Sequence, residues 1–148
     1  MGKNVLVVGG VACGAKVAAR LRRLDPERTI RILEKGDTLS YAACGLPFLV
    51  GGTVPELKDL ITTPVGVVRD AHFFRAVKDV EVLTGHLATR IDRAARVVTA
   101  VETATGEEKS FPYDQLVLAT GASPVLPPLP GADLPGVTPL WNPSDALS

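Results

Sequence analysis

Asn4–Val8 reads Asn-Val-Leu-Val-Val, an apolar run without alternation, which predicts a parallel strand covered on both faces. The period then changes. Val17, Leu21 and Leu24 recur at i, i+4 and i+7, predicting a helix from about Gly14 to Leu24 with that stripe against a sheet. Asp25-Pro26 ends it, and Thr29–Glu34 returns to a strand pattern. Val80–Leu83 is another strand, followed by Gly85, and Gln115–Ala119 is a further buried apolar strand. Between them Ala88–Ile91, Val97–Glu102 and Lys109–Phe111 predict a small antiparallel meander, with Thr105-Gly106 at a hairpin turn. Thr63-Pro64 has the chemistry of an N-cap and first helical position, so a helix is expected from there to near Ala76. Asp37–Gly52, glycine- and proline-punctuated, reads as a loop entering a short helix at Cys44 or just after it. Pro124, Pro127, Pro128, Pro130 and Gly131 mark an extended linker, and Leu134–Ser148 shows no periodicity. The pattern is that of an α/β fold: a Rossmann-like parallel sheet joined by a small antiparallel β-meander. The expected boundaries are a main unit over 1–123 and a Pro-rich linker over 124–148.

Composition narrows the function. The formal net charge of the 148 residues is zero, so no basic field invites nucleic acid. The 46% hydrophobic content contains no apolar run near the roughly 20 residues of a membrane span. No signal-peptide layout precedes the first strand, and a cytoplasmic location is expected. Cys13 and Cys44 are too few for a disulfide framework. No CxxC pair suggests zinc, and His72 and His86 stand apart from any ligand cluster, so no metal is expected and both histidines are read as surface or strand-edge residues.

Three features carry chemistry. In Gly9-Gly10-Val11-Ala12-Cys13-Gly14, the glycines at 9 and 14 match the first and third of a GxGxxG turn, with Val11 at the second. A strand, such a turn and a helix aim backbone N–H groups and the helix dipole at one point, suited to pyrophosphate. Glu34, ending the second strand, is placed to accept from ribose hydroxyls and to repel a 2′-phosphate. The plainer reading is a glycine turn without a nucleotide. Cys44, followed by Gly45-Leu46-Pro47, is expected near a helix N-terminus, where a thiolate is favoured; the plainer reading is a buried structural cysteine. Lys16, Arg20 and Arg23 form a basic stripe on the first helix, either a solvated face or a site for phosphates.

Gly9–Gly14, Ser40-Tyr41-Ala42-Ala43-Cys44-Gly45-Leu46-Pro47-Phe48 and Leu116-Val117-Leu118-Ala119-Thr120-Gly121-Ala122-Ser123-Pro124 together resemble the single-cysteine, coenzyme A-disulfide reductase branch of the FAD-dependent pyridine nucleotide-disulfide oxidoreductases. The resemblance covers most of residues 4–131. It implies FAD held by Gly9, Gly10, Val11, Ala12, Gly14, Glu34 and Lys35, and by Thr120, Gly121 and Ala122 after a later strand. It implies Cys44 as the redox thiol and Arg20, Arg23 and Ser40 at the substrate. Electrons would pass from NAD(P)H as co-substrate through FAD to a small disulfide, coenzyme A disulfide first, a persulfide or polysulfide second, oxygen or peroxide (an NADH oxidase) third. Leu49 stands where two-cysteine members carry their second cysteine, so Cys44 would cycle alone. Ala43 replaces the asparagine that coenzyme A-disulfide reductases often carry there, leaving the substrate open. Cys13 is read as a packing residue. The linker would lead toward an NAD(P)H-binding domain of a homodimeric parent. These residues alone would be catalytically incomplete, and as a separate unit would be a non-catalytic nucleotide-binding module.

Overall fold

A computed structural model describes residues 3–148 and shows three layers. The middle layer is a parallel sheet of β1 (Asn4–Val8), β2 (Thr29–Leu33), β3 (Glu81–Leu83) and β7 (Gln115–Leu118), in the order β3-β2-β1-β7. On one face lie helices α1 (Cys13–Leu24) and α4 (Ala71–Lys78). On the other lies the antiparallel meander β4 (His86–Asp92), β5 (Val97–Glu102) and β6 (Glu108–Pro112). Three short helices, α2 (Leu46–Val50), α3 (Leu57–Ile61) and α5 (Pro143–Leu147), complete the chain.

The apolar run of β1 serves both faces because strand side chains alternate. Val5 and Val7 enter the core shared with Ala15, Ala18, Ile30, Ile32 and Phe74, whereas Leu6 joins Leu33, Val98, Ala100 and Phe111 under the meander. Each fully buried Ile, Leu or Val there contributes about 1.5–3 kcal/mol relative to exposure. Strand order changes direction at β1: the chain goes to β2 on one side and returns through β7 on the other. Such a switch point opens a crevice at the carboxyl ends of the strands, where α/β sheets bind ligands.

Several expectations are corrected. The buried face of α1 is Gly14, Ala15 and Ala18, with Leu21 packed beside it, while Leu24 is 64% exposed. Small side chains let the helix lie close to the sheet, so the leucine-centred stripe was displaced from the true contact face. No helix starts at Thr63. Thr63–Val67 closes a turn instead, with Gly66 at φ +80° and the Thr63 Oγ1 accepting from the Val67 N–H. The helix begins at Ala71, capped by the Asp70 carboxylate, which accepts from the Phe73 N–H at 2.8 Å. β7 is not a buried strand: it lies at the sheet edge, and Leu118 is 59% exposed. His86 is buried rather than superficial. Its Nδ1 lies 2.7 Å from the Thr84 carbonyl, and its ring stands edge-on to Phe111. The segment without periodicity contains α5, whose Asn142 and Asp145 form a reciprocal capping box.

Candidate nucleotide turn and cysteine site

The turn after β1 is built from contacts that exclude a side chain. Gly9 has φ +105°, and a Cβ there would lie 2.1 Å from the Ala119 carbonyl oxygen. This is where the end of β7 passes the turn: the Ala119 N–H donates to Val8 O at 2.8 Å, and Thr120, Gly121 and Ala122 follow on the exposed side. Gly14 brings α1 against the turn so closely that a Cβ would sit 1.8 Å from Gly9 O. At Ala12, the N-cap position, no side chain accepts from the helix. The first-turn N–H groups of a twelve-residue helix are thus left to an outside acceptor. Val11 is half-buried and Ala12 exposed, so neither obstructs that approach.

Glu34 follows β2 directly and is 7% exposed. Its Oε2 accepts from the Gly10 N–H at 2.6 Å, and its Oε1 from the Gly36 N–H at 2.9 Å. The carboxylate therefore braces the turn. Each oxygen keeps a second lone pair with which a ribose hydroxyl could bond. Gly10 is held from its other side as well, because its carbonyl accepts from the Ser40 N–H at 3.1 Å. Ser40 adopts φ +48°, a left-handed conformation uncommon for a residue with a side chain. The backbone turns there and carries the chain to Cys44.

Cys44 occupies a 3₁₀ turn, Ala43–Gly45, immediately before α2. It is exposed and free, as is Cys13 at the start of α1, so the two form no disulfide. The plainer reading of Cys44 as a buried packing residue is overturned. The helix that follows is only five residues long, and the thiol precedes it rather than capping it, so the dipole argument carries less than the sequence suggested.

The family model described as "Pyridine nucleotide-disulphide oxidoreductase" matches residues 3–144. The chain belongs to that family. Among its relatives, the NAD(P)H sulfur oxidoreductase (CoA-dependent) of Pyrococcus furiosus is 36% identical over 99% of this chain and 30% of its own length. The coenzyme A disulfide reductase of Staphylococcus haemolyticus is 38% identical over 81% of this chain and 26% of its own. A solved NAD-dependent persulfide reductase from A. fulgidus superposes with a TM-score of 0.92 at 43% identity, covering 97% of this chain and 26% of that one. The chain thus spans under a third of the relatives it matches.

The site fits the FAD expected of an oxidoreductase of this family on its own geometry. The uncapped α1 start, the side-chain-free turn and the buried Glu34 are what a pyrophosphate and its adjoining ribose require. Lys16, Arg20 and Arg23 are exposed along α1, and none forms an ion pair among the described residues. Arg22, the neighbour between them, is instead consumed, donating to Pro26 O and to Asp79 O at 2.7 Å. Among the described residues no group of three or more His, Cys, Asp or Glu could hold a metal ion, and no helix is long and apolar enough to cross a membrane.

Sequence reasoning missed one part of this region. α5 packs on α2, and Trp141 ahead of it lies over the Lys35 ammonium, 4.4 Å from nitrogen to ring centroid. Tyr41 is half-buried nearby in the chain. Burial, then the nearby charges of Glu34 and Asp145, push its phenol above the ordinary tyrosine value. The available signal was the Asn142-Pro143-Ser144-Asp145 capping box, which announces a helix start without any apolar period.

Proposed function

We propose that this chain is the FAD-binding portion of a flavoprotein that moves electrons from NAD(P)H to a sulfur–sulfur bond through Cys44. The observation that carries the reading is the single backbone link between the two halves of the site. Ser40, at the head of the cysteine loop, donates its N–H to the carbonyl of Gly10 in the nucleotide turn. Gly9, Gly10, Val11, Ala12 and Gly14 would hold pyrophosphate, and Glu34 and Lys35 the adenosine side. Thr120, Gly121 and Ala122 would flank it where β7 passes the turn. A bound flavin would supply the two-electron relay between nicotinamide and sulfur.

Cys44 supplies the nucleophile. Its thiolate attacks one sulfur of RS–SR, forming a mixed disulfide and expelling RS⁻, which takes a proton. Two electrons, originating from the hydride of NAD(P)H, then return Cys44 to its thiolate and release the second thiol. The net change is RSSR + NAD(P)H + H⁺ → 2 RSH + NAD(P)⁺. Leu49 offers no second sulfur in this stretch to resolve the mixed disulfide, so reduction must reach Cys44 directly.

The free cations of α1 favour a thiol that carries phosphates, which makes coenzyme A disulfide the leading substrate. A coenzyme A persulfide is the second reading, favoured by the 43% identity to a persulfide reductase. It would yield RSH and hydrogen sulfide by the same balance. The segment 124–148 would lead toward an NAD(P)H-binding domain of the parent. In the full-length parent, NADH oxidation should be fast with one of these two substrates and slow with oxygen alone. A parent that oxidises NADH equally fast without any sulfur substrate would be an oxidase.

Arg20→Ala and Arg23→Ala should each raise KM for coenzyme A disulfide about ten- to a hundredfold, since a charge-assisted hydrogen bond is worth roughly 1.5–3 kcal/mol. NAD(P)H reduction of the flavin should not change. An unaltered KM would return the stripe to a solvated face.

A further inference from the structure

Trp141 is the only tryptophan of the chain, and its placement has no role in the reading above. Two segments far apart in sequence meet around it. One is the chain just past β2, where exposed Lys35 follows buried Glu34. The other is the stretch before α5. Residues 121–130 between them are exposed throughout and rich in proline. The chain therefore crosses open solvent and docks again at this spot.

The docking is specific in its bonds. Asp145 Oδ2 accepts from the Trp141 N–H at 2.8 Å and from the Asn142 N–H at 2.9 Å, and Asn142 Oδ1 accepts from the Asp145 N–H at 3.1 Å. This closed set holds the Trp141 backbone, while α5 rests on α2 just beyond Cys44. The indole is half-buried, with the Lys35 ammonium 4.4 Å from its centroid. Lys35 adjoins the carboxylate that reaches the nucleotide turn. A flat apolar ring is thus held beside the residues that face the sugar end of a nucleotide.

We infer that Trp141 forms a wall of the adenosine subsite, stacking on the base of a nucleotide whose pyrophosphate lies in the Gly9–Gly14 turn. The inference rests on the proposed nucleotide site and adds to it a residue from the far end of the chain. Base–aromatic stacking is tolerant of exact geometry because both partners present π faces. The Lys35 ammonium helps orient the indole through its ring. The segment 139–148 is then part of the binding site rather than only a connector.

Titrating the 148-residue protein with ADP tests this, because the sole tryptophan reports directly. ADP should change the Trp141 emission saturably, while ribose 5-phosphate, which lacks the base, should leave it unchanged. By calorimetry, Trp141→Leu should weaken ADP binding about tenfold, within the range expected for one stacked base, and Trp141→Phe should restore most of the loss. Equal ADP affinity in the wild type and Trp141→Leu would overturn the inference while leaving the turn's role intact. An identical emission change with ribose 5-phosphate would overturn it too. No measurable ADP binding in the unmutated protein would overturn both the inference and the nucleotide reading beneath it.

Discussion

Gly9→Ala should destabilise the protein by about 2–5 kcal/mol, combining left-handed backbone strain of roughly 1–2 kcal/mol with an overpacking cost of roughly 1–3 kcal/mol. The new Cβ would lie 2.1 Å from Ala119 O, and both the glycine and its obstacle are backbone atoms that no rotamer change can separate. Relief requires moving either β1 or the end of β7, which are paired in register from Val5↔Gln115 to Val8↔Leu118. Gly106→Ala is the matched control. It also has positive φ, +75°, but nothing lies within 4 Å, so only the strain of roughly 1–2 kcal/mol remains. Urea unfolding of the two variants separates the contributions. Equal midpoint shifts would mean that the turn yields to the extra methyl, and that its close approach to β7 is not what demands glycine.

Cys44→Ser should abolish disulfide turnover in the full-length parent, by three orders of magnitude or more, because a serine hydroxyl cannot exchange with a disulfide. NADH should still bleach the flavin absorbance of that variant in a single turnover, since the nucleotide turn and Glu34 are untouched. Cys13→Ser should leave both half-reactions intact. Cys13 is as exposed as Cys44, so this comparison tests position rather than accessibility. Retained turnover in Cys44→Ser would remove the thiol from the mechanism and leave the chain a nucleotide-binding domain with an accidental surface cysteine.

The legible parts of this chain were those where local chemistry and tertiary demand agree. β1, α1, β2 and the meander follow from run length, period and turn residues. The tight turn after β1 was legible because glycine is required wherever backbone must meet backbone, as at Gly9 and Gly14. Glu34 stands at the end of the second strand as expected, but its bracing of Gly10 and Gly36 was not foreseen, since a hydrogen bond to a main-chain N–H leaves no mark on composition. The Thr63 helix failed because the same threonine and proline chemistry serves a turn, and Gly66 at φ +80° decides between them. The exposure of β7 was invisible for another reason. An apolar strand reads alike in the middle of a sheet and at its edge, and only the pairing order distinguishes them. Trp141 escaped because its neighbours, Lys35 and the α2 surface, lie about a hundred positions away.

Gly10 donates its N–H to Glu34 and accepts from Ser40 at its carbonyl, so one residue answers to two masters. In evolutionary terms this ties together parts of the molecule that would otherwise drift separately. If Glu34 holds the sugar as proposed, a lineage changing that preference would also have to keep the Ser40–Gly10 bond at the head of the cysteine loop. One retuning the cysteine loop for a new sulfur donor inherits the geometry of the nucleotide turn as a boundary condition. Diversification would then be cheapest at positions outside this bond, such as the α1 cations, where a new substrate could be learned without disturbing the old wiring.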